Sequence, residues 1–347
     1  MWHSSDSMPR GSSSEQDFER ELEPHRREIT LHCYRMLGSL QDAEDVAQET
    51  LAKGWQRREE LRSSDAARAW LYKIATNGCL DRLKARKRRR LLPFMVTPAA
   101  DPGEPFRTPI EENVWIEPAP DSLLDESRLL PDARAAIRES VGLAFIAALQ
   151  LLSAKQRAAV LLVDVLGWKP QEVAGLLKTT VASVNSLLQR ARRVLEEHGS
   201  DEVQTVAADD EELLRRYITT WQGGDLDAFA ALLAEDAVLS MPPHPEWYAG
   251  RAAIRKFFGR LLAIAPRRYR LVPIGANGSP AVALYTFAAD GVLEATAIAV
   301  LTFREGRVAR ITRFDLPRLF PSFGLRERWS DQTGEGSPFA EVARART

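Results

Sequence analysis

The chain has little of what a metalloprotein, a disulfide-stapled scaffold or a membrane protein needs. Its 347 residues include only two cysteines and five histidines. Cys33 and Cys79 lie far apart and make neither a ligand cluster nor a disulfide framework, which fits a reducing cytosol and a cytoplasmic protein. No metal and no cofactor is expected. No apolar run is long enough to span a bilayer, so no membrane partner is expected. Residues 1–14 are rich in Ser and lack an apolar h-region; they read as a disordered tail, not a signal peptide. One-signed charge is missing too. Forty-seven Lys and Arg stand against 48 Asp and Glu, leaving a net charge of -1. A whole-chain basic signature is thus excluded, and any nucleic-acid surface must be local. No internal repeat is visible.

What is there divides by composition. The length suits two or three domains. Residues 15–92 read as helices. Phe18, Leu22, Ile29, Leu31, Tyr34, Met36, Leu37 and Leu40 form a helical apolar face that Gly38-Ser39 interrupts. A second helix spans Asp42 to Trp55, with acids in its first turn where the helix dipole favours them. Asp65 caps a third, from Ala66 to about Arg90. Residues 93–132 hold eight prolines, a density that no helix or strand survives. With ten acidic side chains and four arginines between Asp101 and Glu139, this stretch reads as an acidic, largely extended linker. Residues 133–199 are helical again. A different unit follows over 209–325, opening with an amphipathic helix and continuing in alternating runs such as Ala281–Phe287, Ala295–Phe303 and Val308–Phe314. Residues 326–347 read as a tail.

Two places carry nucleic-acid chemistry. Seven of the nine residues from Arg82 to Arg90 are basic. Such a run repels itself unless an anion faces it, and a helix C-terminus accounts for two or three cations, not seven. Arg82, Lys84, Arg86, Lys87 and Arg88 are candidate phosphate contacts. Asn77 and Asp81, four apart on one helix face, are candidate base readers; the nearby Trp70 reads as core. The second place is Leu152–Glu197. Ser153 caps a helix ending at Gly167, Pro170 starts the next, and Thr180 caps a third. Val184, Leu188, Ala191 and Leu195 share one face of that third helix. Ser183, Asn185, Ser186, Gln189, Arg190, Arg192 and Arg193 hold the other. This is a helix-turn-helix pattern in which Asn185 and Gln189 would read bases and Arg190, Arg192 and Arg193 would hold phosphates.

At this point the residues carry a resemblance. The stretch Asp42-Ala-Glu-Asp-Val-Ala-Gln-Glu-Thr-Leu51, ending at Trp55, resembles region 2 of the extracytoplasmic-function sigma factors. So does Ala69–Leu83, in the expected order and spacing. The resemblance implies that Asp45, Gln48 and Glu49 face core RNA polymerase. It also implies that Asn77 and Asp81 read the minus-ten element of promoter DNA, and that the loop Arg62, Ser63, Ser64 and Asp65 receives a flipped base. Leu152–Glu197 resembles sigma region 4, which contacts the minus-thirty-five element; Asn185 and Leu187 stand where many relatives carry basic residues, so promoter preference does not transfer. Family linkers thread through polymerase channels, where acidic side chains mimic phosphate, and Trp115-Ile116 suggests a docking point. Residues 209–325 resemble the SnoaL-like group of cone-shaped α+β folds, through Tyr217–Trp221, Gly223–Asp227, Leu232–Leu239 and the segment from Met241 to Arg251.

The expected architecture is therefore multidomain: two all-α sigma domains plus a C-terminal α+β cone (SnoaL/NTF2-like). Trp221, His244, Trp247, Tyr248, Tyr285, Glu294 and Asp315 are its candidate pocket residues, for a small-molecule ligand. Met241 and Phe287 could join that lining. No catalytic residue is assigned, since no acid–base dyad is placed together by sequence. The alternatives are a ligand-responsive helix-turn-helix regulator, which has no use for a polymerase-binding motif over residues 42–83, and a DNA-tethered enzyme, which a dry pocket without ionisable groups at His244, Glu294 or Asp315 would remove.

Overall fold

The structure is a computed structural model that describes residues 25–56, 64–86, 90–110, 114–124, 142–198, 208–264, 268–288 and 290–329. Residues 1–14, the loop positions Arg62 and Ser63, and Lys87 and Arg88 lie outside these. The described α-helices that precede residue 199 are α1 (Arg26–Leu37), α2 (Leu40–Gln56), α3 (Ser64–Ala85), α4 (Leu143–Leu151), α5 (Ala154–Val160), α6 (Pro170–Leu176) and α7 (Val181–His198). By their contacts the residues fall into two compact units. One joins the chain up to Lys87 with Leu152–Ala191, and the other joins Arg88–Leu151 with Arg192 onward.

In the helical unit the break at Gly38 is a left-handed C-cap, with φ 67°, whose N–H bonds Tyr34 O. This lets α2 fold back on α1. Ile29, Cys33, Met36, Leu37, Val46, Ala47, Leu71 and Ala75 fill the shared core with α3, each at most 1% exposed. The helices close tightly where a Cβ on Gly78 would stand 3.1 Å from Val46 Cγ1. Cys33 and Cys79 meet there, with the Cys79 thiol hydrogen-bonded to Cys33 and burial pushing its pKa up. Sequence distance had separated them; the α1–α3 packing does not. The third helix ends at Ala85, earlier than Arg90.

Ser153 caps α5 in a full capping box with Gln156. A π-turn over Leu161–Val165 follows, and Gly167 (φ 71°) ends it. Arg157 is buried: its guanidinium donates to Met36 O and, at 3.2 Å, to Leu152 O. The segment Leu152–Ala191 is thereby tied to α1.

The second unit is built on a sheet of order β2-β1-β6-β5-β4-β3. Its strands are β1 (Leu233–Ser240), β2 (Trp247–Ala249), β3 (Tyr269–Ala276), β4 (Ser279–Phe287), β5 (Leu293–Arg304) and β6 (Arg307–Phe314). β1 and β6 run parallel; the other neighbours are antiparallel. Helices α8 (Ala208–Gly223), α9 (Leu226–Ala231) and α10 (Arg251–Ile264) complete the layer. Between helices and sheet lies an aromatic core of Tyr217, Trp221, Phe229, Tyr248, Phe257, Phe258 and Tyr269. Asn277-Gly278, both at positive φ, form the two-residue turn from β3 to β4. The α+β cone is thus as expected. Its sheet continues further than expected: β7 (Arg328–Trp329) pairs with β5, four residues beyond the anticipated end at 325.

Candidate nucleic-acid interface

The third helix of the helix-turn-helix has the form the sequence asked for. Thr180 Oγ1 accepts from Ser183 N at 3.2 Å and caps α7. Val184, Leu188 and Ala191 are buried, while Asn185, Ser186, Gln189, Arg190, Arg192 and Arg193 are exposed and Ser183 is half-buried. Pro170 sits at the first position of α6, and Lys169 N donates to Glu172 at 2.8 Å. Apolar burial on one side of α7 leaves a polar and basic stripe on the other, the arrangement a major-groove reader requires.

On α3, Asn77 and Asp81 are both exposed on one face, and Lys84 is exposed beyond them. Behind that face lies a polar network. His32 Nε2 and Thr76 Oγ1 are 2.9 Å apart, and the His32 ring meets Tyr72 edge-on at 5.1 Å. Burial, then Arg35, pushes the His32 pKa down to about 3, so the ring is neutral. Tyr72 donates to Glu28 at 3.2 Å, and Arg68 lies 5.2 Å from the Tyr72 ring centre. Trp70 is half-buried. Ser64 opens α3.

The basic run does not behave as one surface. Arg82 reaches Asp42 at 3.4 Å, Asp45 at 3.3 Å and Glu49 at 3.1 Å. Arg86 pairs with Asp42 and donates to Leu37 O at 3.2 Å. Arg90 is buried, 3.8 Å from Glu117, and donates to Trp115 O at 3.2 Å. Of the four described cations of the run, Arg82, Arg86 and Arg90 therefore have partners within the chain. Gln48 is exposed on α2 beside Asp45 and Glu49.

The acidic linker is not extended through solvent. Two single 3-10 turns, Pro93–Met95 and Asp121–Leu123, punctuate it, and its described residues are seated on the C-terminal domain. Trp115 Nε1 donates to Pro243 O at 3.1 Å, Trp247 Nε1 to Thr97 O at 2.8 Å, and Ala100 N to Trp247 O at 2.8 Å. Arg107 N donates to the buried Glu246 at 2.7 Å. Glu117, whose side chain is 2% exposed, also pairs with Arg318 at 2.7 Å. Asp121 accepts from Gly278 N at 2.7 Å, and a Cβ on Gly275 would collide with its carboxylate. Ala119 and Asn277 exchange two hydrogen bonds at 2.9 and 3.0 Å, closing off the end of edge strand β3.

The seven candidate pocket residues do not converge. Trp221 is wedged edge-on between Phe229 and Phe258, at 5.0 and 4.6 Å, and Tyr248 stacks on Phe257 at 4.5 Å; both are core. His244 meets Phe106 of the linker at 4.7 Å, and Trp247 meets Phe94 at 6.4 Å. Tyr285 lies at a register shift where β5 carries the extra residue Thr296, packs on Phe320 and donates to Arg326 O at 2.9 Å. Glu294 is exposed and pairs with Arg328 of β7 at 3.2 Å, while Asp315 pairs with Arg313 at 2.7 Å. Met241 is core and Phe287 is 39% exposed. Trp247 and Tyr248 are neighbours on β2 and so point to opposite faces of the sheet, and the other five come from different elements.

The fold and its exposed faces define a DNA-reading protein of two helical parts with a C-terminal α+β cone. Residues 22–89 match the family model for Sigma-70 region 2, residues 142–195 that for Sigma-70 region 4, and residues 214–311 that for the SnoaL-like domain. The chain is 42% identical over 315 residues to the ECF RNA polymerase sigma factor SigG of Mycobacterium tuberculosis, covering 89% of this chain and 84% of that one. The ECF sigma factor SigJ of the same organism is 26% identical over 331 residues, 91% of this chain and 97% of its own. The crystal structure of SigJ shares the fold, with a TM-score of 0.58 at 23% identity over 90% of this chain and 99% of that one.

The chain belongs to the ECF RNA polymerase sigma factors. It is a transcription factor that binds core RNA polymerase and promoter DNA and directs promoter-specific transcription initiation. Among the described residues no helix is long and apolar enough to cross a membrane.

Proposed function

We propose that the chain reads the minus-ten element with α3 and the minus-thirty-five element with α7, and that its C-terminal domain regulates initiation by holding the linker. Asn77 and Asp81 would read unpaired bases, with the loop at Arg62–Asp65 taking a flipped base. Extruding that base costs a few kcal/mol, which polymerase binding and the receiving loop must offset. Asn185 and Gln189 would read base edges, with Ser183 and Ser186 beside them and Arg190 and Arg193 on phosphates. Asp45, Gln48 and Glu49 would dock on polymerase. No covalent step is required of the protein, and it would act in the cytoplasm.

The observation that carries the regulatory reading is the seating of Trp115, Glu117 and Asp121 on the C-terminal domain. A linker held there is not free to thread a polymerase channel. The two states then compete, and anything that loosens the seat shifts the population toward the free linker. The scattering of the candidate pocket residues gives the DNA-tethered-enzyme reading no support. A ligand, if one acts, would work through the linker seat near His244 and Phe106.

Run-off transcription with core polymerase on a genomic fragment library tests the reading. The full chain, a chain stopped near Gly199 and full chains carrying Asp121→Ala or Trp115→Phe are compared. Core-dependent, promoter-selective transcripts are expected from the full chain, with the seat variants moving output in the same direction as the truncation. Seat variants and truncation that leave promoter choice and yield unchanged would end the regulatory reading. Transcription that does not depend on core would end the promoter reading.

A further inference from the structure

The basic run after Asn77 and the acidic row of α2 meet at one side chain. Arg82 lies on the DNA-facing helix at the start of the basic run, yet its guanidinium contacts Asp42, Asp45 and Glu49 of α2. Two of these acids are the ones assigned above to polymerase. Their environments differ from that of the neighbouring pair. Asp45 and Glu49 are 51% and 52% exposed, whereas Arg86 and Asp42 are 17% and 20% exposed. Exposed ion pairs contribute little, since water and salt screen them, so Arg82 can leave Asp45 and Glu49 at small cost. The Arg86–Asp42 pair, which also satisfies Leu37 O, is the structural tie between α2 and α3.

We propose that Arg82 is a positioning residue shared by the two surfaces: in the free chain it occupies the acidic row of α2, and when polymerase cations take over Asp45 and Glu49 it is released to a DNA phosphate. The inference rests on the assignment of α2 to polymerase. Its physical content is an exchange of ion pairs. Each carboxylate keeps a cationic partner throughout, while the guanidinium exchanges carboxylate for phosphate. Lys53, 3.7 Å from Glu49, is the other cation at this row and stays with α2. DNA contact on α3 is thereby coupled to polymerase docking without movement of the helix backbone.

The experiment titrates a fluorescent promoter duplex with the full chain, alone and as reconstituted holoenzyme, across a range of salt. Wild type is compared with Arg82→Gln, with the double variant Asp45→Asn/Glu49→Gln, and with all three changes together. Thermal melting checks that each variant is folded. In the free chain the double variant should bind DNA more tightly, and its slope of log affinity against log salt should steepen by about 0.9, the contribution of one phosphate. Adding Arg82→Gln should abolish that extra slope. In the holoenzyme Arg82→Gln alone should flatten the slope by about the same amount, though in the free chain it changes nothing. A triple variant that keeps the gain would mean that the acids merely repel DNA, and would overturn the proposal, as would an unchanged holoenzyme slope for Arg82→Gln. Core affinity, measured separately, tests the underlying assignment. A double variant that binds core as wild type does removes polymerase from α2, whereas the free-chain slopes still report whether Asp45 and Glu49 hold Arg82.

Discussion

Along α7, Asn185, Ser186, Gln189, Arg190 and Arg193 stand in solvent, while in the linker Arg90, Glu117 and Asp121 are engaged by the C-terminal unit. Both stretches read in sequence as polar, charged segments. They differ in whether the chain itself supplies the complementary group. On α7 the apolar face is satisfied by the core and the polar face has been left for a partner. In the linker the polar groups are the means of attachment: Glu117 sits between Arg90 and Arg318, and the backbone of Ala119 pairs with Asn277. A charged surface becomes a recognition surface only when its charges are not already used inside the fold.

The sharpest way to break this comparison is to remove the charge that the linker buries. Glu117→Gln removes the charge of a buried carboxylate that stands 3.8 Å from the buried Arg90 and 2.7 Å from Arg318; breaking a buried pair in this way typically costs about 3–5 kcal/mol. Urea unfolding of the full chain should show the transition of the C-terminal unit moving to lower denaturant. An unmoved midpoint would mean that the linker seat contributes little and that its polar groups resemble those of α7 after all.

The helical unit has a buried titratable group of its own, and its effect is set by pH. His32 is held neutral, its pKa pushed down to about 3 by burial and by Arg35, while in the unfolded chain it titrates near 6.5. The unfolded state therefore binds the extra proton between those values, and stability falls as pH drops below about 6.5, by at most about 1.4 kcal/mol per pH unit. Tyr72 and Thr76 face the ring and do not titrate in that window. Chemical denaturation at a series of pH values should show this slope in wild type and a smaller one in His32→Gln. Equal slopes would mean that the ring is solvated or charged in the folded state.

These cases mark what was legible in the sequence. Several helix starts and stops were, because their signals are local: Gly38 as a C-cap, Ser153 and Thr180 as N-caps, Pro170 at a first turn; α3, which runs from Ser64 only to Ala85, was not. β4, β5 and β6 were legible too, through alternation. What was not legible depends on partners distant in the chain. The run from Arg82 to Arg90 read as a single DNA surface because Asp42 lies 40 residues from Arg82 and Glu117 lies beyond the first linker prolines. Among its described residues the linker holds no α-helix and no strand, as its proline density led one to expect, yet that density says nothing about docking; Trp115 was the one sign of it. The surroundings of the candidate pocket residues were hidden for a similar reason, since Tyr285 lies at a register shift between β4 and β5 and Glu294 pairs with Arg328 from a segment that read as tail.

The recognition surface of α7 can be tested without disturbing the fold. Asn185→Ala and Gln189→Ala remove exposed side chains, so stability should change by less than about 0.5 kcal/mol. Discrimination among upstream promoter elements should weaken by about 1–3 kcal/mol at the base each side chain reads. Competition binding of the holoenzyme to a set of single-base variants measures it. Arg193→Ala, by contrast, should weaken all sequences alike and lower the salt dependence. A uniform loss from Asn185→Ala would move that residue from the bases to the backbone.

The smallest effect expected is at the entry to α5, where the two uses of polar side chains meet in one residue. Ser153 Oγ accepts from Gln156 N at 3.4 Å, and Gln156 returns a bond to Ser153 N at 2.9 Å. The serine is exposed but works for the fold, because it satisfies one of the donors that a helix start leaves open. Ser153→Ala should cost about 1 kcal/mol, and Ser153→Asp should recover most of it by capping the same end of the helix. Thermal unfolding of the full chain reads both. If Ser153→Ala left stability intact but altered promoter binding, exposure and not capping would be the better guide to this residue, and the division drawn between α7 and the linker would have to be redrawn at single-residue scale.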